Sequence, residues 1–387
     1  MTTQTATPFE IVCALARVHL TEDTRRAWAD QLTPTLPWRD VMQTAARHRV
    51  MPLVYANLAT HYRDVVPADL LAGARTYFYR SYHYIHRLQE ELAAVRGVLA
   101  DAGVESIAFK GPVLAAMAYG APKYRLFSDL DVMVQVHEVP QARAALADAG
   151  WQEPIAVQPD YGDRWSSYWP WHRPHGNANG YVKTLDNGAY TLALDLHWGL
   201  ASRYFRLDAD PAAWWARRQT VTLPDGQTVP TFSDEDTFIF LCMHGTKHEW
   251  ERLTFVCDLA EFMRTHPALN WAVVLERAAA VRMRRVTLLG AWLAHHLLEA
   301  PWSDELADAV AADPPVILLG QQVIGFLQAD KVKRGEAFRF HLGVRDRWRD
   351  ALGTLWYNTT LALSATPDAE AKDASAAKPA KDQVLQS

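Results

Sequence analysis

The chain has 387 residues, 49% hydrophobic and 21% charged, a balance that suits a soluble globular protein with a large core and room for two domains. Its formal net charge of −5 gives no general attraction to nucleic acid, although local basic patches stay open. No apolar run approaches the roughly 18 residues of a membrane span, the N-terminal MTTQTATPFEIV lacks the pattern of a secretory signal, and three cysteines without a C-x-x-C pair fit a reducing cytoplasm.

From Phe9 to about Gly103 the sequence predicts helices. Residues 40–49, 52–62 and above all 68–102 carry apolar side chains at helical spacing, with breaks at Thr21, at Asp23-Thr24 and at Pro37-Trp38. Tyr77, Phe78, Tyr79, Tyr82, Tyr84 and Ile85 make an aromatic segment, read as a packing face with a base-stacking surface as the alternative. An apolar run from Ile107 to Phe109 then ends in Lys110-Gly111. A short helix-like segment follows, then a turn around Gly120 and Pro122, and a second apolar run carries Asp129 and Asp131. Residues 139–149 predict a helix closed by Gly150.

Residues 151–174 are irregular and rich in Trp, Tyr, Pro and Arg. They read either as a lid or acceptor groove, with Trp165, Trp169 and Trp171 as its lining, or as a surface loop stapled by its own aromatics. His172 and His175 beside Arg173 match no ligand spacing. Asn187-Gly188 predicts a hairpin between residues 180–185 and 190–198, and Pro224-Asp225-Gly226 a second between 220–223 and 227–230. Ser233 is the expected cap of the next helix, with Asp236 at the capping-box distance. Further helices are predicted at 271–281, 284–298, 304–312 and 316–329 and from Val344 onward. Arg282, Arg284 and Arg285 form a basic cluster suited to an acidic partner or to a solvated helix junction, and residues 367–387 read as a disordered tail.

The chemistry concentrates in the two apolar runs. Side chains alternate faces along a strand, so Asp129 and Asp131 project to one side while Leu130, Val132 and Val134 project to the other. Adjacent carboxylates repel unless a cation neutralises them. Hard oxygen donors of this kind suit Mg²⁺, which is usually shared with substrate phosphates. A third carboxylate, Asp195, lies where Leu192, Leu194 and Leu196 alternate with Ala193, Asp195 and His197, a strand pattern. If that strand pairs beside the first, three acids converge and can hold two metal ions about 3.5 to 4 Å apart. His197 would orient Asp195, contact phosphate or serve as a hydrogen-bonded structural residue. His244 and His248 share a helix face, which suggests zinc, but H-G-T-K-H lacks the internal glutamate of a metalloprotease helix.

Taken together, Lys110-Gly111, Arg125, Ser128-Asp129-Leu130-Asp131, Asp195-Leu196-His197-Trp198, His244 and the later Asp258 resemble the uncharacterised bacterial nucleotidyltransferase family of the DNA polymerase β-like superfamily. The resemblance implies an α+β fold, a small mixed sheet with helices, flanked by helical regions. It also implies transfer of a nucleoside monophosphate from an NTP, ATP first among the candidates, to an acceptor with release of pyrophosphate. By that resemblance Asp129, Asp131 and Asp195 would hold two Mg²⁺ ions, with Asp195 helping to deprotonate the acceptor. Lys110, Gly111, Arg125, Ser128, His197, His244 and Lys247 would meet the nucleotide. A Gly-Ser pair commonly stands in the superfamily where Lys110-Gly111 stands here; the serine that would contact phosphate is absent, and a lysine would supply charge in its place.

The expected organisation is a helical region over 1–103, a catalytic domain over 104–230, a C-terminal helical region over 231–365 and a tail over 366–387. For Asp258 a surface pair with Arg252 is the favoured structural reading. The alternative to an enzyme is a nucleotide-binding or protein-interaction module that keeps the fold without turnover. The acceptor, whether small molecule, protein or RNA, is not legible, because one fold serves many acceptors.

Overall fold

The N-terminal helical patterning produces α1 (Pro8–Leu15), α2 (Glu22–Ala29), α3 (Trp38–Arg47), α4 (Met51–His61) and the long α5 (Ala68–Asp101). They belong to a computed structural model that describes residues 6–153, 178–200, 210–347 and 349–350. The aromatic segment of α5 is a packing face in part: Tyr84 and Ile85 are buried, Tyr77, Phe78 and Tyr82 are partly buried and Tyr79 is exposed, and the Tyr84 hydroxyl lies 3.2 Å from the carbonyl oxygens of both Ser128 and Thr191. Burial, then the nearby Asp129 carboxylate, push the Tyr84 phenol up to about 12, so it remains a hydrogen-bond donor.

The next stretch builds the sheet: β1 (Ile107–Phe109), α6 (Gly111–Tyr119), β2 (Leu130–Met133), α7 (Val139–Asp148), β3 (Ala178–Leu185) and β4 (Tyr190–His197). The strand order is β1-β2-β4-β3, with β1 and β3 antiparallel to their neighbours and β2 parallel to β4. Leu130, Val132, Leu194 and Leu196 are fully buried, as strands enclosed on a hydrophobic face require. The register sets one transverse row through Phe109, Asp131, Asp195 and Gly180. The hairpin expected at Asn187-Gly188 forms, with a 3₁₀ turn over Asp186–Gly188 in which Asp186 and Gly188 take positive φ. The second hairpin forms as a separate pair, β5 (Gln219–Thr222) and β6 (Thr228–Thr231), with Gly226 at φ +86° in its turn; a short α8 (Pro211–Ala216) precedes it, and β6 packs on β1.

The C-terminal helices are α9 (Asp234–Lys247), α10 (Leu253–Thr265), α11 (Trp271–Ala280), α12 (Arg284–Leu298), α13 (Asp304–Ala311), α14 (Pro315–Gln328) and α15 (Arg334–Gly343). Ser233 caps α9 through the Asp236 N–H at 3.3 Å. The capping box does not close. The buried Asp236 carboxylate instead accepts from Arg217 Nε at 2.7 Å and Nη2 at 3.1 Å, and from Arg277 Nη1 at 3.3 Å. Helix α15 was not legible in the sequence, because only Phe340 and His341 of its side chains are buried and no apolar period results. Residues 349–350 are helical again. The rest of the helix expected beyond Val344, the Trp165–Trp171 segment with His172, Arg173 and His175, and the tail lie outside the described residues.

The arginine cluster is a helix junction: Arg282 pairs with Asp350 at 3.0 Å, Arg285 with Asp313 at 3.0 Å, and the Arg284 N–H donates to Asp346 at 2.9 Å. One continuous apolar core runs through the helices and the sheet. Cys13, Cys242 and Cys257 are buried and free, and no single described helix is long and apolar enough to cross a membrane.

Candidate active site

Strand β1 ends at Phe109, and the chain then turns sharply into α6. Lys110 makes that turn at φ +60° and ψ −151°, a region essentially reserved for glycine, and Gly111 follows at φ +41°. A Cβ on residue 111 would sit 3.4 Å from the Asp129 carbonyl oxygen, so the turn lies directly on the approach to β2. The lysine at this strained position points inward: its Nζ is 2.6 Å from Asp131 Oδ1, with the two side chains 13% and 2% exposed.

Asp131 is the centre of the arrangement. Its Cα partner across the parallel ladder is Asp195, and His197, two residues further along β4, places Nε2 3.1 Å from Asp131 Oδ1. One ligand atom from each of Asp131, Asp195 and His197 lies within 4.8 Å of the others. Burial would raise the Asp131 carboxyl, but the Lys110 ammonium and the His197 hydrogen bond outweigh it and hold the group well below the usual carboxylate range. Asp195 is half-buried. Its Oδ1 has room because residue 180, opposite it on β3, is glycine; a Cβ there would come within 3.3 Å of that oxygen. Asp129 lies one residue before β2 and stands outside the three-residue group, though it lines the same pocket.

That pocket has a volume of about 180 Å³ and is walled by Lys110, Gly111, Arg125, Ser128, Asp129, Asp131, His244 and Asp258. It therefore gathers all the residues expected at the nucleotide except His197, which reaches Asp131 from β4, and Lys247, which is exposed near the end of α9 and does not line it. His248 lines it instead, one residue past that helix. Burial, then the charges of Lys110, His248, Lys247 and Arg125, hold His244 well below its ordinary value, which favours the neutral ring. His248 stacks on Phe255 and His244 meets the same ring edge-on, and among the described residues no third ligand joins the two histidines, which leaves the zinc reading without support.

Asp258 corrects another expectation. It is buried and takes a bidentate contact from Arg125, Nε to Oδ1 at 2.7 Å and Nη2 to Oδ2 at 2.9 Å, and the Tyr119 hydroxyl donates to Oδ1 at 2.8 Å. The partner is Arg125, 133 positions away, rather than the nearby Arg252. Such a fork fixes Arg125 in plane at the rim of the pocket. Sequence reasoning had no signal for Arg49, Glu251 and Arg252, which also line it.

With this geometry in view, comparison with known proteins adds one result. The profile of an uncharacterised nucleotidyltransferase family matches residues 34–299, more than half of the chain. The chain belongs to that family. The matched stretch contains every residue of the pocket, from Arg49 to Asp258, and the mixed sheet that carries Asp131 and Asp195. No curated protein matches the sequence.

Proposed function

We propose that the protein moves a nucleoside monophosphate from an NTP, with ATP as the first candidate, to an acceptor and releases pyrophosphate. The domain responsible would be a polymerase β-like unit over residues 104–230, with helical regions over 1–103 and 231–365. The observation that carries this reading is the in-register pairing of Asp131 with Asp195 on parallel strands, beside a pocket entered by the Lys110-Gly111 turn.

The donor set fits a divalent cation: a buried carboxylate that needs positive charge beside it, a second carboxylate in the adjoining strand, and Asp129 at the pocket wall. Hard oxygens of this kind match Mg²⁺ better than a softer ion, with His197 serving as a hydrogen-bond partner of Asp131. Mg²⁺ held by Asp129, Asp131 and Asp195 would neutralise the triphosphate and stabilise charge on the leaving group. The chain's own groups do the rest. Asp195 accepts the acceptor's proton as its nucleophilic atom bonds to the α-phosphorus. The bond to the bridging oxygen breaks, and pyrophosphate leaves toward Lys110, Arg125 and the amide end of α6, since phosphoryl transfer depends mainly on positioning and electrostatics. Three buried free thiols suit work in a reducing cytoplasm.

The test is transfer of label from α-³²P-NTP into cell-extract acceptors. Label should pass with the wild type and fail with Asp131→Asn and with Asp195→Asn; equal transfer by either variant would remove the proposal. One observation favours a second reading, a nucleotide-binding module without turnover: Lys110 sits on the carboxylate that a metal would claim. Tight ATP binding by calorimetry in Mg²⁺, with no pyrophosphate formed in any extract, would select it.

A further inference from the structure

A cavity of about 410 Å³ shares no lining residue with the catalytic pocket. Three segments enclose it: the end of α5 with the chain entering β1, the end of α8 with the two residues after it, and β6. Arg96 comes from the first, Trp215 and Arg218 from the second and Pro230 from the third. Ala100, Val104 and the buried Trp215 give it apolar walls. A space of this size, apolar with a few placed polar groups, suits a small molecule.

Arg96 is the group that the fold leaves uncompensated. It is half-buried, and among the described residues it makes one hydrogen bond, Nη1 to the Thr228 carbonyl at 3.1 Å, and no ion pair. Its Nε is buried without a partner. Burial alone lowers the guanidinium from its ordinary value, whereas a carboxylate nearby would raise it. Arg217 shows the usual solution, a bidentate contact with the buried Asp236. Arg218, one residue on, lines the cavity instead: its guanidinium carbon lies 5.6 Å from the centre of the Trp215 ring, and its ion pair is with the exposed Glu105 at 3.4 Å. An exposed pair of that length is weak and easily displaced.

The carbonyl end of α5 would oppose an anion if it were bare, but its acceptors are taken. The N–H groups of Gly103 and Val104 donate to the Ala100 and Leu99 carbonyls at 2.8 and 2.9 Å, and the Gln141 amide donates to the Ala102 carbonyl. The cavity therefore sets two guanidiniums and the Ser106 hydroxyl against one carboxylate, beside an aromatic wall.

We propose that this cavity is a second ligand site, separate from the catalytic pocket, for a small organic acid: an apolar body seated against Trp215 and Val104, with its carboxylate or phosphate held by Arg96 and Arg218. Arginine forks match both oxyanions in geometry and in charge, and the ligand's oxygens take the place of Glu105. The lining includes residues 104–106, which lead into the three-residue β1 and so to the Lys110 turn. The site stands independently of the chemistry at Asp131.

The experiment is calorimetry of the full chain in EDTA with 2-naphthoate, 2-naphthyl phosphate, 2-naphthamide and orthophosphate. Saturable binding at one molecule per chain is expected for at least one of the two naphthyl acids, and the tighter of them names the acid group. Naphthamide keeps the rings without the charge and orthophosphate keeps the charge without the rings, so each should bind at least tenfold more weakly. Arg218→Gln removes a guanidinium and Ala100→Trp fills the cavity; both positions are exposed, so the fold tolerates the changes, and each should weaken binding tenfold or more. Arg96→Gln should do the same. Hydrogen exchange at residues 104–106 and 215–218 should slow when the acid is added. Binding of neither acid, binding that does not saturate, naphthamide or orthophosphate binding as tightly as the acids, or wild-type affinity in both Arg218→Gln and Ala100→Trp would overturn the site.

Discussion

Lys110 occupies a glycine-like turn and at the same time neutralises a buried aspartate, and replacing it with glycine separates the two effects. The φ of +60° and ψ of −151° at this residue cost about 1–3 kcal/mol, which Lys110→Gly relieves. The same change strips Asp131 of a cation 2.6 Å away in a place where both side chains are almost enclosed, and breaking such a pair costs about 3–5 kcal/mol. The net expectation in EDTA at neutral pH is a loss of about 2 kcal/mol. Lys110→Met keeps the strain while removing the charge, so it should lose about 3–5 kcal/mol. Urea unfolding followed by the fluorescence of the fifteen tryptophans measures both. Millimolar Mg²⁺ should then rescue the two variants more than the wild type, because the cation enters a site the lysine has left, and stabilisation by a bound ion follows its affinity for the folded state. Equal stability of the glycine and methionine variants would refute the strain. Equal stabilisation of all three proteins by Mg²⁺ would refute the placement of the lysine on a cation site.

Other consequences are checked one at a time. Gly180→Ala puts a Cβ 3.3 Å from Asp195 Oδ1, so label transfer should fall on the order of tenfold with little change in unfolding midpoint, since a misplacement of about 1 Å already costs roughly 10²-fold; unchanged transfer would mean that Asp195 is not held by this contact. Burial first, then the charge of Arg47, lowers His48 to about 3 from an ordinary 6.5. The folded state therefore keeps His48 neutral while the unfolded chain protonates it, and stability is complete above pH 6.5 and lost as pH falls toward 3, by up to about 1.4 kcal/mol per pH unit. His48→Asn should flatten that slope in acid unfolding, and an identical slope would exclude the role. Tyr119→Phe deletes the 2.8 Å donor to the buried Asp258 and should cost about 1.5–3 kcal/mol in urea unfolding, whereas a loss within error would show that Arg125 alone satisfies the carboxylate.

What could be read from the sequence was whatever is local. Alternating Leu192, Leu194 and Leu196 declared β4 and hence the face carrying Asp195 and His197, and the turns at Asn187-Gly188 and Pro224-Asp225-Gly226 declared both hairpins. The pairing of β2 with β4 was a conditional expectation that the register fulfils, with Asp131 opposite Asp195. The period-two argument for Asp129 was looser, because the strand begins one residue later, at Leu130, and period two binds only residues inside a strand. Contacts between distant segments left no trace in the sequence. Arg125 with Asp258, Lys110 on Asp131, and Arg49 beside Arg252 each depend on which elements pack together, and no spacing encodes that. The orientation of Lys247 was not encoded either: near its C-terminus α9 turns His244 toward the pocket and leaves Lys247 exposed, a rotation set by the packing of α9.

The convergence of Asp131 and Asp195 on shared metal ions is tested most directly by anomalous diffraction from crystals grown with Mn²⁺ and an ATP analogue that cannot release pyrophosphate. The expected map has a manganese peak within coordination distance of oxygens from both carboxylates and from the triphosphate, with the Lys110 ammonium withdrawn from Asp131. A nucleotide bound elsewhere, or manganese touching neither aspartate while Lys110 stays on Asp131, would contradict it.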